Sequence, residues 1–234
     1  MEIPFLHLIL HEPDVALTDL ALSIETIVLA LLLPRTKPAG SPLRMLAGLL
    51  FLVLSLSSLL GALYHGFFPL RTETEGGWLV WVLTMFSLGG AATIFWMLNG
   101  ALSRKSPRWL TPAALLLFAG YLLFVAFVDY RFWVSIAFSV PPLLVFLGIL
   151  LSRALRSASP GAGAGIAAIL LMFAASVLQQ LRIGIDPAYF NHNALYHLIQ
   201  GIALAFLFVS LRMFVREAIV PSRIAAVRMS EGTG

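Results

Sequence analysis

Residues 43–67 read LRMLAGLLFLVLSLSSLLGALYHGF. One basic residue, Arg44, lies near the start and one histidine, His65, near the end, and everything between them is apolar, small or hydroxylated. A hydrocarbon core about 30 Å thick is crossed by roughly 20 apolar residues in a helix, because lipid cannot hydrogen-bond an open backbone. The stretch therefore predicts a membrane-spanning helix.

Six further stretches have the same character. The predicted spans are residues 15–33, 43–67, 78–101, 110–128, 132–151, 162–181 and 193–219. The chain is 60% hydrophobic and 11% charged, whereas soluble domains are about one-quarter charged. The sequence predicts an all-α fold, a single seven-transmembrane helix bundle over residues 1–234, in a multi-pass protein of the plasma or inner membrane.

The orientation follows from the lysines and arginines, of which there are 15. Twelve flank one end of the predicted spans: Arg35, Lys37, Arg44, Arg104, Lys105, Arg108, Arg153, Arg156, Arg212, Arg216, Arg223 and Arg228. Only Arg71, Arg131 and Arg182 flank the other end. Cytoplasmic loops concentrate basic residues, so the N-terminus is predicted outside and the C-terminus in the cytoplasm.

Several function classes are excluded. There is no cysteine, so disulfides, thiolate metal sites and cysteine nucleophiles are impossible. The only lysines, Lys37 and Lys105, fall in predicted loops, so no retinal can be bound through the last helix. The net charge of +4 comes from short loops and reads as an orientation signal, so no nucleic-acid partner is expected.

The histidines point to one end of the bundle. All five are predicted in the external half, together with most of the carboxylates: His7, His11, His65, His192 and His197. Histidine is the commonest metal ligand, and carboxylates are its usual companions. The alternative is that each histidine is an ordinary interfacial hydrogen-bonding residue.

Two acids lie within the first span. Asp19 is about one turn inside it, and Glu25 lies near the middle of the bilayer. Ionisable groups at this depth are costly, so they normally face the protein interior and mark a function. The alternative for Glu25 is a hydrogen bond that serves packing alone.

The last span opens with the polar segment FNHNALYHLIQ, residues 190–200. A five-residue separation turns about 140° around a helix, so His192 and His197 can converge only if His192 stays outside a regular helix. Asn191 or Asn193 is a plausible N-cap that would begin the helix there.

These features resemble a superfamily of seven-helix membrane hydrolases, the CREST group of alkaline ceramidases and adiponectin-receptor-type proteins. The resemblance covers the topology of the chain and a few residues. His65 lies at the outer end of the second span, and residues 196–201, YHLIQG, are similar to the last-helix segment of the ceramidases. The resemblance implies a zinc ion held by one histidine of helix 2 and two of helix 7.

Carried onto this sequence, the resemblance makes His65 and His197 metal ligands and places Asn193, with His192 beside it, at the family's other helix-7 histidine. The remaining positions depart from the pattern. Glu75 stands for the family's aspartate, Gly61 occupies the serine position with Ser58 on the same face, and an acidic run resembles the ceramidase calcium site only loosely. That run, a possible calcium or proton site, comprises Glu12, Asp14, Asp19 and Glu25.

The first functional hypothesis is a zinc-dependent lipid amide or ester hydrolase at the external membrane face. The ligands would be His65, His192 and His197, with Glu75 as general base and Asp129 as a second candidate carboxylate. The residues predicted to bind the lipid substrate are Tyr64, Asn193, Tyr196 and Gln200. The second hypothesis is a non-enzymatic sensor that binds a small molecule or lipid in the same cavity. The third is a transporter or channel in which Asp19 and Glu25 relay protons.

Overall fold

The computed structural model describes residues 2–3, 8–33, 41–103, 107–157, 159–187 and 189–231. Among the residues on which the sequence analysis drew, His7, Arg35, Lys37, Arg104 and Lys105 lie outside this set. Two short strands, β1 (Glu2–Ile3) and β2 (Leu8–Ile9), pair antiparallel before the first helix.

Seven helices follow, and each is long and apolar enough to cross a membrane. Their bounds are α1 Pro13–Leu32, α2 Pro42–Phe67, α3 Glu75–Leu102, α4 Leu110–Phe127, α5 Phe132–Ser157, α6 Pro160–Gln180 and α7 His192–Glu231. A single 3₁₀ turn, Arg71–Glu73, separates α2 from α3 within this region. The prediction of an all-helical bundle with seven spans is confirmed.

The helices overrun several of the predicted spans. α3 begins at Glu75 because the Thr74 side chain accepts a hydrogen bond from the Gly77 amide and caps the helix before the first apolar residue. α5 continues to Ser157, and α7 continues to Glu231. Hydropathy detects only the part of a helix that lies in hydrocarbon, so polar turns at the ends escape it.

Six helices form a ring. Neighbours along the chain pack together from α1 to α3, α3 packs against α5, and α6 and α7 complete the ring by packing against α5 and α1 respectively. α4 lies outside the ring and packs mainly against α3. The ends of α2, α4 and α6 and the beginnings of α1, α3, α5 and α7 share one side, which we call the N-terminal end of the bundle.

The core and the cavity divide the bundle between them. A large apolar cluster fills the half opposite the N-terminal end, with Leu50, Leu98, Phe146, Leu207 and Leu211 among its members. A smaller cluster around Met85 and Tyr121 fixes α4 to α3 and α5. The N-terminal half of the ring is left less tightly filled, and the candidate site lies there.

Candidate functional site

A cavity of about 500 Å³ occupies the N-terminal half of the ring. This volume is typical of a small-molecule or lipid site. The polar residues on its wall include Asp19, Ser58, Tyr64, His65, Asn193 and His197. The apolar residues include Leu54, Ala91, Phe95, Leu143, Phe173 and Leu204. The cavity is thus amphipathic, a shape that suits a molecule with a polar group and a hydrocarbon tail.

Most of the residues predicted from the sequence line this cavity. They are Asp19, Ser58, Tyr64, His65, His192, Asn193, Tyr196, His197 and Gln200. The predicted residues that are not part of its wall are Glu12, Asp14, Glu25, Glu75 and Asp129.

His65 is held by the segment that precedes α1. The Glu12 amide donates to the His65 carbonyl at 3.2 Å, and the Glu12 carboxylate accepts from His65 Nδ1. Arg71 donates to the other oxygen of the same carboxylate. The hydrogen bond from His65, together with the positive charges of His65 and Arg71, holds the pKa of Glu12 below its usual value. An ionised Glu12 accepts the Nδ1 proton, so His65 presents its Nε2 lone pair.

His197 is the most enclosed histidine of the site. Its side chain is 11% exposed and that of Asp19 is 6% exposed, and Nε2 lies 3.3 Å from Asp19 Oδ1. Its Nδ1 lies 3.2 Å from Thr18 Oγ1. The Thr18 hydroxyl already donates to main-chain carbonyls at 2.8 and 3.0 Å. Thr18 can therefore only accept from Nδ1, which leaves Nε2 as a lone pair directed at a carboxylate oxygen.

Asp19 reaches the site because α2 has a glycine opposite it. A Cβ on Gly61 would lie 2.6 Å from Asp19 Oδ2 and 3.0 Å from Asp19 Cγ. The carboxyl group of α1 thus occupies the space that a side chain at position 61 would fill. Gly61 is the position where the resemblance implied a serine, so the structure gives this departure a physical reason.

The start of α7 is fixed to two other helices. Asn191 Oδ1 accepts from the amides of Asn193 at 2.8 Å and Ala194 at 3.3 Å, which confirms the prediction of an asparagine N-cap. The Asn191 amide donates to Asp14 Oδ2 at 3.0 Å. Asn193 Oδ1 accepts from Gln179 Nε2 at 3.2 Å. Asp14 therefore positions α7, and Asn193 is engaged with α6.

His192 is the first residue of α7, on the wall of the cavity. It belongs to the helix, whereas convergence with His197 was predicted to require that it stay outside. Among the described residues, no group of three or more histidines and carboxylates is close enough to hold a metal ion as it stands. The predicted set of His65, His192 and His197 is therefore not brought together, and the closest pairing in the cavity is Asp19 with His197.

The other predicted acids are separate from this pairing. Glu75 is exposed in the first turn of α3. Asp129 follows α4, where Arg131 hydrogen-bonds both of its oxygens and lowers its pKa to about 2. The Glu25 carboxylate packs against Gly201 of α7, where a Cβ would lie 2.8 Å from Oε2. These positions are a correction to the roles of Glu75 and Asp129 beside the histidines, and the acidic run of α1 is dispersed over several contacts.

Fold and cavity together define a multi-pass, seven-helix membrane protein with an amphipathic cavity at one end of its bundle. A family model matches residues 15–215, and the chain belongs to that family, which is described as a family of unknown function, DUF6962. The match includes Asp19, Gly61, His65 and His197 and begins after Glu12 and Asp14. No curated protein matches the chain, and no solved structure does either.

Proposed function

We propose that this protein is a metal-dependent, zinc-type intramembrane hydrolase that acts on a lipid amide or ester. The observation that carries the proposal is the pairing of Asp19 with His197 at the polar end of an amphipathic cavity. The donor set that we assign is Asp19, His65 and His197.

The pairing requires a cation. Because His197 Nδ1 donates to Thr18, its Nε2 and the Asp19 carboxylate oxygen are both acceptors, only 3.3 Å apart. Two acceptors at this distance repel each other unless a proton or a metal ion lies between them. The chemistry of this pair therefore fits a metal ligand set.

The second histidine has the same arrangement. Glu12 accepts from Nδ1 of His65 as Thr18 does from Nδ1 of His197, so each ring is oriented by an acceptor behind it and presents Nε2. Histidines that bind metals are almost always held in this way by a carboxylate or another acceptor. Two imidazoles and one carboxylate are also a donor set that catalytic zinc uses.

When bound, the metal would lower the pKa of a coordinated water and polarise the substrate carbonyl. The protein residues do the rest. Asp19 Oδ2 is the oxygen turned away from His197, and it can accept a proton from the attacking water and return it to the leaving group. The apolar wall around Phe95 and Leu143 would hold the acyl chain and exclude water.

The proposed orientation places this chemistry at the external face. Among the described basic residues, Arg44, Arg108, Arg153, Arg156, Arg212 and Arg216 belong to the end opposite the cavity. The positive-inside rule puts that end in the cytoplasm. The substrate would then enter from the outer leaflet.

The test is metal content by elemental mass spectrometry, followed by a screen of lipid amides and esters for hydrolysis. We expect about one zinc per chain in the unaltered protein, and loss of the metal in Asp19→Asn and in His197→Ala. The matched control is His192→Ala, which removes a histidine of the same cavity and should retain the metal. Protein that cannot be loaded with zinc, or variants at Asp19 and His197 that retain it, would overturn the proposal.

A second candidate is a sensor that binds an amphiphile without consuming it. One observation favours it, namely that the described residues contain no preassembled group of three metal donors. This reading predicts saturable lipid binding with no product formed, and binding that survives His65→Ala.

A further inference from the structure

Three groups that can carry positive charge line the N-terminal part of the cavity. They are Arg71, which follows α2, Arg182, which follows α6, and His192 at the start of α7. Both arginines lie within electrostatic reach of the His192 ring. Arg71 is paired with Glu12, whereas no carboxylate of the described residues pairs with Arg182. The cavity entrance therefore carries a net positive charge.

Arg182 occupies an unusual backbone position. It ends α6 in a Schellman motif, in which its amide donates to the Gln179 carbonyl at 3.1 Å and the Ile183 amide donates to the Leu178 carbonyl at 2.9 Å. Its φ is 55°, a left-handed conformation that glycine normally supplies. An arginine at this position gives up the ease of glycine, so its side chain needs a purpose.

Arg71 shares this property. Its φ is 51°, and within the described part of the chain Arg71 and Arg182 are the only residues other than glycine with a positive φ. Both line the same cavity. Backbone strain that persists in a structure tends to occur at functional sites. Here it coincides with the two guanidinium groups of the cavity.

The chemistry that satisfies such an entrance is an anion. A carboxylate or phosphate would pair with the guanidinium group of Arg182 and would relieve its repulsion with Arg71 and His192. The nearby acids cannot serve, because Glu12 is occupied by His65 and Arg71, and Glu73 and Glu75 are not part of the cavity wall.

We propose that the natural ligand is an acyl amphiphile with an anionic headgroup, which Arg182 binds with the help of Arg71, while the tail lies in the apolar half of the cavity. This inference deepens the proposed function and rests on it for the assignment of the ligand as a substrate. The headgroup recognition itself requires neither a metal nor turnover.

The first test uses the unaltered protein in detergent and three probes that contain no bond to hydrolyse. They are dodecanoate, dodecyl phosphate and dodecanol, each measured by competition against a fluorescent fatty acid. We expect at least one of the anions to bind about tenfold more tightly than the alcohol, which corresponds to about 1.4 kcal/mol. The two anions distinguish a carboxylate site from a phosphate site. Equal affinity for all three probes would overturn the proposal.

The second test uses Arg182→Asn, because asparagine tolerates the left-handed backbone of this position. The matched control is Arg131→Asn, which removes an arginine at the same end of the bundle that is already paired with Asp129. We expect Arg182→Asn to abolish the preference for the anion while leaving dodecanol binding unchanged, which also shows that the variant is folded. An anion preference that survives in Arg182→Asn, or that disappears equally in Arg131→Asn, would overturn the assignment.

These measurements separate the two proposals. Loss of the metal assignment would leave the anion preference in place, since the probes report binding alone. Loss of the anion preference would leave the zinc measurement and the roles of Asp19 and His197 untouched.

Discussion

Asp19 shows how a single carboxyl group can be kept in a membrane helix. Its side chain is 6% exposed, with His197 on one oxygen and the open space of Gly61 beside the other. A charge at such a depth is costly unless it is paired. Pairing with His197 offsets this cost only when a cation is shared, so the acid, the histidine and the glycine act as a unit.

The first prediction concerns Gly61→Ala. The added Cβ would lie 2.6 Å from Asp19 Oδ2, so Asp19 must move away from His197. Overpacking of this kind costs about 1–3 kcal/mol. We expect a lower melting temperature in detergent and loss of bound zinc.

The matched control is Gly148→Ala, because a Cβ at Gly148 would meet no atom within 4 Å. This variant should melt at or slightly above the temperature of the unaltered protein, since alanine favours a helix over glycine. Equal behaviour of the two variants would contradict the close contact between Asp19 and α2.

The second prediction concerns Thr18→Val, which keeps the shape of the side chain and removes the acceptor for His197 Nδ1. Loss of such a supporting hydrogen bond typically weakens metal binding 10–100-fold. We expect a shift of this size in zinc affinity, measured by competition with a chelator. Thr26→Val is the control, because the Thr26 hydroxyl donates only within its own helix; a similar shift there would refute the role of Thr18.

The sequence predicted most members of the site but not their pairing. The depth of Asp19 and the location of His65 and His197 at one end follow from local composition. The contact between Asp19 and His197 depends on α1 and α7 being neighbours in the ring, which no local pattern reports. Glu75 and Asp129 were drawn toward the histidines by their position along the chain, whereas Arg131 and the solvent hold them elsewhere.

At the scale of the elements, α4 is the helix with the fewest neighbours. It lies outside the ring, and its Tyr121 provides the main polar link to it. The phenol donates to the Met85 carbonyl at 2.8 Å and lies 2.5 Å from Ser135 Oγ. The ring packs on Gly89, whose lack of a side chain allows the close approach of α3 and α4.

The third prediction follows from this link. Tyr121→Phe keeps the ring contacts and removes a buried hydrogen bond, which is worth about 0.5–1.5 kcal/mol. We expect a lower melting temperature without a change in bound zinc, because Tyr121 is not part of the cavity wall. Tyr189→Phe, at a side chain that is 84% exposed, should leave the melting temperature unchanged, and an equal effect would argue against the α4 anchor.

At the scale of the whole molecule, the seven spans could be predicted because hydropathy is a local property that the bilayer thickness makes decisive. The ring with α4 outside it could not, because all seven helices are apolar on every side and their order depends on shape. Small residues such as Gly89 allow close packing without stating which helix will approach.

The fourth prediction tests the orientation. The chain has no cysteine, so single cysteines can be introduced without further changes. Tyr189→Cys, at the N-terminal end of the bundle, should react with a membrane-impermeant maleimide in intact cells. Ser157→Cys, at the opposite end, should react only after permeabilisation. The reverse pattern would place the cavity in the cytoplasm and would refute the orientation from the basic residues.

The contact between Asp19 and Gly61 also constrains how the family can diverge. Two helices contribute to one small volume, so an acid on α1 is compatible only with a residue on α2 that has no side chain in the way. Members that carry a serine or a larger residue at position 61 should have lost the acid at position 19, and members that keep the acid should keep the glycine. Covariation between these two columns would then separate the branches of the family by which helix supplies the polar group.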